Sequence, residues 1–93
     1  MPTFKVAHIQ RQGQNMLLFP LNWNFAHKSL VEQNSVLREL EHRAHSAGLA
    51  GSAAVFWEIG GRTHFLGPKP WRDFLQSMSV RTVLTNVNKS VSW

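Results

Sequence analysis

No cysteine occurs in the 93 residues, which removes disulfides, thiolate zinc sites, iron–sulfur clusters and cysteine nucleophiles together. Acidic groups are scarce too, with five Asp plus Glu against ten Lys plus Arg. Paired-carboxylate chemistry needs two acids side by side. Here Glu32, Glu39 and Glu41 lie off the apolar stripe of one expected helix, Asp73 starts another, and Glu58 stands alone in a strand. No run approaches the roughly 20 apolar residues of a membrane span, and the opening MPTFKVAHIQRQ has no apolar stretch leading to a cleavage site. The expectations are no membrane association and a cytoplasmic location. Gly60-Gly61 precedes a strand instead of opening a helix, where a phosphate would sit, so no cofactor is implied.

What is present describes a folded chain. With 43% apolar and only 16% charged residues, the composition is too apolar for disorder, and the length suits one α+β domain over residues 1–93 with a thin core. The net charge of +5 is uneven: +2 over residues 1–27, zero over 28–51 and +3 over 52–93. Such a field favours encounter with nucleic acid or an acidic protein surface.

Leu30, Leu37, Leu40, Ala44 and Ala47 recur at helical spacing and predict a helix over residues 30–47. Ser29 and Glu32 form a capping-box pattern ahead of it, and Gly48 suits a left-handed stop. Strand-like runs fall at residues 3–11 and 14–21, broken at Gln12-Gly13, and at 52–59 and 62–67, broken at Gly60-Gly61. A second helix is expected from Pro70, with Trp71, Phe74, Leu75 and Met78 on one face. The order ββαββα gives a four-stranded antiparallel sheet of two hairpins with two helices on it. A shift of 48 residues superposes Gly13 on Gly61, Leu18 on Leu66, Pro20 on Pro68 and Trp23 on Trp71, which suggests an internal ββα duplication.

The strands are apolar on both faces. On the assumed pairing, Val55, Trp57, Ile59 and Leu66 share one face and Phe56 and Phe65 the other. Two helices on one face of an antiparallel sheet would leave the other bare, and a bare apolar face marks an interface. Val80, Val83, Leu84, Val87 and Val91 also lie off the stripe of the second helix. Phe56, Phe65, Val83 and Val87 are the candidate apolar interface, for a homodimer or a protein partner. Two other readings cover these residues: the C-terminal segment ending in Trp93 folds back over the bare face, or VRTVLTNV forms an extra strand.

The stretch GRTHFLGPKPWRDF carries most of the remaining candidate chemistry. Its prolines suit the end of a strand, and Trp71 suits pinning the returning helix to the sheet. Lys69 and Arg72 replace Leu21 and Asn24 of the first half, so function at this corner would lie in those additions. Candidate partner or nucleic-acid contacts are Arg11, Arg62, His64, Lys69, Trp71, Arg72, Arg81 and Lys89. His42 and His45 could reach one metal ion, but Arg38 and Arg43 oppose a cation there, so no metal site is expected. His8, His27 and His64 adjoin large apolar residues and read as semi-core groups.

The reading this supports is a non-enzymatic basic module acting by protein–protein contact. Its size suits an inhibitor or modulator of a larger nucleic-acid-bearing complex, of the kind a mobile element or phage encodes. Direct DNA or RNA binding by aromatic stacking on an open sheet face is the alternative, and a small enzyme built across a dimer interface the third.

Overall fold

The computed structural model describes residues 3–11 and 13–92. Strands β1 (Thr3–Arg11) and β2 (Gln14–Pro20) form the first hairpin, followed by a 3₁₀ turn at Trp23–His27 and helix α1 (Leu30–Ser46). Strands β3 (Ser52–Ile59) and β4 (Arg62–Leu66) form the second hairpin. A 3₁₀ turn at Lys69–Trp71, helices α2 (Arg72–Gln76) and α3 (Val80–Thr85), and strand β5 (Lys89–Ser92) complete the chain.

The five strands make one sheet in the order β4-β3-β2-β1-β5. Both hairpins hold the expected register: Ala7 pairs with Leu18 in the first, and Val55 with Leu66 in the second. The second register is the first displaced by 48 residues, pair for pair. The join between them was not expected. β3 lies parallel to β2, with Leu18 beside Ala54 and Pro20 beside Phe56, and β5 pairs antiparallel with the outer side of β1. The four-stranded antiparallel sheet is therefore corrected to a five-stranded mixed one. Likeness between the halves also ends soon after the hairpins, since α1 has 17 residues and α2 only five.

A parallel pair requires a crossover of about a dozen residues or more, and α1 supplies it. It packs Leu40 and Ala44 against Val6, Leu17, Phe19, Ala53, Val55 and Trp57. Leaving β4, the chain must reach the far edge to form β5, and it crosses the opposite face. There Trp71, Leu75 and Val83 bury Ala7, Met16, Leu18, Ala54 and Phe56. The face expected to be bare is thus covered by the protein's own α2 and α3. The expected second helix divides at Ser77–Ser79, where Ser79 caps α3 by accepting from the Thr82 backbone N–H. VRTVLTNV is mostly helical, and the added strand begins only at Lys89. Trp93 lies outside the described residues.

Helix α1 departs from its expected stripe at both ends. Leu40 and Ala44 are buried and Val36 and Leu37 half-buried, but Leu30, Val31 and Ala47 are exposed. Its start is fixed by the expected capping box: Ser29 Oγ accepts from Glu32 N–H at 3.2 Å, and Glu32 Oε1 accepts from Ser29 N–H at 3.1 Å. Its end is tied to β3 by Glu41 Oε1, which accepts from Ala53 N–H at 2.8 Å, and by a 2.6 Å hydrogen bond between His45 Nε2 and Gly51 O.

Two predictions follow from these joints. The Ser29 bonds hold the Glu32 carboxyl below the ordinary glutamate range, helped by nearby Lys28. That contribution is complete above the ordinary range and disappears as pH falls through the lowered value. Ser29→Ala is expected to cost about 1 kcal/mol at neutral pH, and Glu32→Gln, which removes the titrating carboxyl, to flatten the acid limb of stability, both read by urea denaturation from pH 7 down to pH 3. Gly51 has φ +130°, and a Cβ there would lie 2.6 Å from Asn15 O. Gly48, at φ +86°, has nothing within 4 Å. Gly48→Ala should cost about 1 kcal/mol and Gly51→Ala about 2 kcal/mol or more; equal losses would mean that the β2–β3 join yields freely.

Candidate binding surface

The β4 side of the molecule is built around a row of rings. A two-residue turn at Gly60 and Gly61, with φ of 57° and 79°, closes the second hairpin, as a type I′ turn requires positive φ at both positions. It sets Trp57 opposite His64 and Ile59 opposite Arg62, on the face that α1 covers. The buried Trp57 ring has Phe25 as one neighbour, with centroids 4.9 Å apart, and the His64 imidazole as another, stacked at 5.9 Å and 16°. Phe25 belongs to the first 3₁₀ turn, which is fastened to α1 by Gln33 Nε2 donating to Phe25 O at 3.2 Å. Trp23 of the same turn stands edge-on to His27 at 5.3 Å.

Unburied apolar groups lie close in sequence to the residues of this row. Trp23, Leu30 and Val31 are 59%, 64% and 76% exposed, and Ile59 is exposed as well. His27 and Lys28 lie between Trp23 and Leu30 in the chain, and Arg62 and His64 are exposed on β4. Glu32 is the acid nearest in sequence to Leu30 and Val31, and its carboxylate is committed to the capping box.

A second feature lies at the opposite end of the hairpins, on the other face. Trp71 Nε1 donates to Gln14 Oε1 at 2.9 Å, and the Arg11 guanidinium lies 4.4 Å from the Phe74 ring centroid. Together with Met16, Pro70, Asp73 and Ser77 they line a recess of about 570 Å³. The PKPW corner is therefore structural first. Trp71 is buried and pins α2 to the start of β2, and its backbone N–H donates to Pro68 O at 3.1 Å to close the turn.

The eight candidate contacts do not form one patch. Arg62 and His64 lie on β4, with Lys69, Trp71 and Arg72 in the turn and helix that follow it, and Arg11 caps the recess beside Phe74. Arg81 is exposed on α3. Lys89 opens β5 at the far edge of the sheet, beside Lys5, Leu84 and Val87 in a depression of about 590 Å³. Of the four candidate interface residues, Phe56 and Val83 are fully buried in the core and cannot meet a partner. Phe65, its ring 6.2 Å from that of Phe56, and Val87 are half-buried. Of the three histidines expected to be semi-core, His27 and His64 are exposed, and the half-buried His8 has a buried Nε2 without a hydrogen-bond partner among the described residues.

The exposed Trp23, Leu30 and Val31 escaped the sequence reading. The periodicity assigned Leu30 to the core, and the match of Trp23 to Trp71 suggested a pin for the helix. Trp71 has that role, whereas in the first half Phe25 reaches the core instead. The presence of Trp, Phe and His within five residues was the available signal. No protein-family model, curated protein or solved structure gives a significant match to the chain.

Proposed function

We propose that the chain is a non-catalytic binding module that acts by protein–protein contact, through the exposed apolar corner formed by Trp23, Leu30 and Val31. The observation that carries this is that, of the five large exposed apolar side chains among the described residues, three fall within nine residues of the chain, while the sheet is packed on one face by α1 and on the other by α2 and α3. Exposed apolar groups gathered at one place mark interaction sites, and tryptophan is the residue most enriched where binding energy concentrates. Lys28 would steer an acidic-rimmed partner to the corner without supplying most of the affinity.

Base stacking on an open sheet face loses its platform, because Phe56 is buried beneath α2 and α3 and Phe65 is half covered. Protein contact is therefore favoured over direct DNA or RNA binding. A module of this kind suits inhibition or modulation of a larger complex by occupying one of its surfaces.

Trp23→Ala combined with Val31→Ser removes surface groups alone, so stability should change by less than about 0.5 kcal/mol. Quantitative affinity capture from the organism of origin should lose its enriched proteins by about ten-fold or more with this variant, with or without nuclease. Capture that is unchanged in the variant, or abolished by nuclease, overturns the reading. Direct oligonucleotide binding would instead show log affinity falling against log salt with a slope of about −3 to −5.

A further inference from the structure

We infer that the outer edge of β4 is a docking edge for an extended, carboxylate-bearing segment of a partner protein, which adds to the sheet as a sixth strand. The surface differs from the Trp23 corner, and the inference shares with the preceding reading only the class of partner.

The two edges of the sheet are treated differently. At the β1 edge, β5 pairs with Thr3 to Val6. Asn88 extends that cover by one step: its Oδ1 accepts from His8 N–H at 2.9 Å, its Nδ2 donates to His8 O at 3.0 Å, and its backbone N–H donates to Val6 O at 3.2 Å. Val6 and His8 are therefore among the β1 residues whose backbone groups point outward, as alternation in an antiparallel ladder requires. At the other edge, the type I′ turn makes Ile59 and Arg62 a hydrogen-bonded pair, so Trp57–His64 and Val55–Leu66 are bonded pairs as well. Thr63 and Phe65 consequently turn their N–H and C=O groups outward. Among the described strands none lies beyond β4. In the first hairpin the matching edge, that of β2, is filled by β3 from Met16 to Pro20.

Unpaired backbone groups in a row specify a strand as occupant, because only another extended chain supplies donors and acceptors at the same spacing. β4 contains neither proline nor an extra residue that would twist it away, and Gly67-Pro68 ends it, so the occupant pairs over about five residues. Charge decides which strand. Arg62 and His64 are exposed along the edge, Lys69 and Arg72 follow it, and no acid occurs between Arg62 and Arg72. Glu58 lies one strand inward, opposite Thr63 and on the other face from Arg62 and His64. A second copy would set one +5 chain against another, and each would bring its own Arg62 to the shared edge. A partner strand with carboxylates on alternate residues meets Arg62 with opposite charge and the His64 imidazole as a hydrogen-bonding group.

The probe is a capped heptapeptide alternating Val and Glu, with its Val–Lys counterpart as control, titrated into the full chain at low ionic strength and followed by backbone amide NMR. The expected result is shifts confined to residues 62–67 and their β3 partners. Exchange of the Thr63 and Phe65 amides should slow by about ten-fold at saturation, and the Glu peptide should bind about ten-fold more tightly than the Lys peptide. N-methylation of alternate amides of the Glu peptide should weaken it by about ten-fold in one phase of alternation and leave it unchanged in the other, a test that leaves the protein fold untouched. Phe65→Pro should abolish binding, and Trp23→Ala should leave it as in wild type, which separates this surface from the apolar corner. No shift at β4, equal binding of the two peptides, or a β4-dependent dimer in light scattering would each overturn the inference.

Discussion

The fold depends on the two central strands, β2 and β3, being apolar on both faces. Leu17, Phe19, Ala53 and Val55 look toward α1, while Met16, Leu18, Ala54 and Phe56 look toward α2 and α3. A strand that is apolar on both sides cannot leave either side to water, so the sheet needs cover twice. A parallel pairing of β2 with β3 meets that need economically. The crossover it requires is itself a helix lying on one face, and the chain leaving β4 must then cross the other face to close the β1 edge with β5. The small Ala53 and Ala54 let the backbone approach both layers, and Gly67 has its neighbour Ala54 so near that a Cβ would lie 2.9 Å from the alanine methyl.

The hairpins, the capping box and the glycine stop were legible because each is set by residues close in sequence. Glycines at two-residue turns fix the register of the strands they join, and the register fixes which residues face which way. How the two hairpins join was not legible locally. Apolarity on both faces is visible in the sequence and fits equally an unfilled interface on an antiparallel sheet. The same pattern is what central strands covered on both faces by helices require, which is the topology the chain adopts. Helical period likewise gave α1 its inner face without showing how far the helix outruns the sheet. Leu30 satisfies the period, yet its turn lies clear of any strand that could bury it.

The candidate surface was legible in proportion to its charge. Cations are visible in a sequence whether or not they act together, so Arg62, His64, Lys69 and Arg72 were singled out and do lie along β4 and its exit. Arg81 and Lys89 were singled out on the same grounds and lie elsewhere. Exposed apolar groups have no such signature, because Trp23 and Trp71 carry the same local pattern and differ only in what the fold places over them. Trp71 finds Gln14 and the α2 face of the sheet, whereas Phe25 takes the place over Trp57 and leaves Trp23 outside.

The two hairpins differ where their neighbours differ. In the first, Gln14 and Met16 face the recess and core under α2, and the outer side of β2 is closed by β3. Their counterparts in the second hairpin are Arg62 and His64, on a strand with no neighbour beyond it among the described strands. Replacing an apolar and an amide side chain by two basic ones is what an edge strand needs to resist pairing with its own kind, since a second copy presents the same charge. The same substitution does not repel an acidic strand. On the docking inference proposed above, avoidance of self-assembly and preference for an acidic partner would be one electrostatic property of β4, with the backbone groups of Thr63 and Phe65 open to the chain that charge admits.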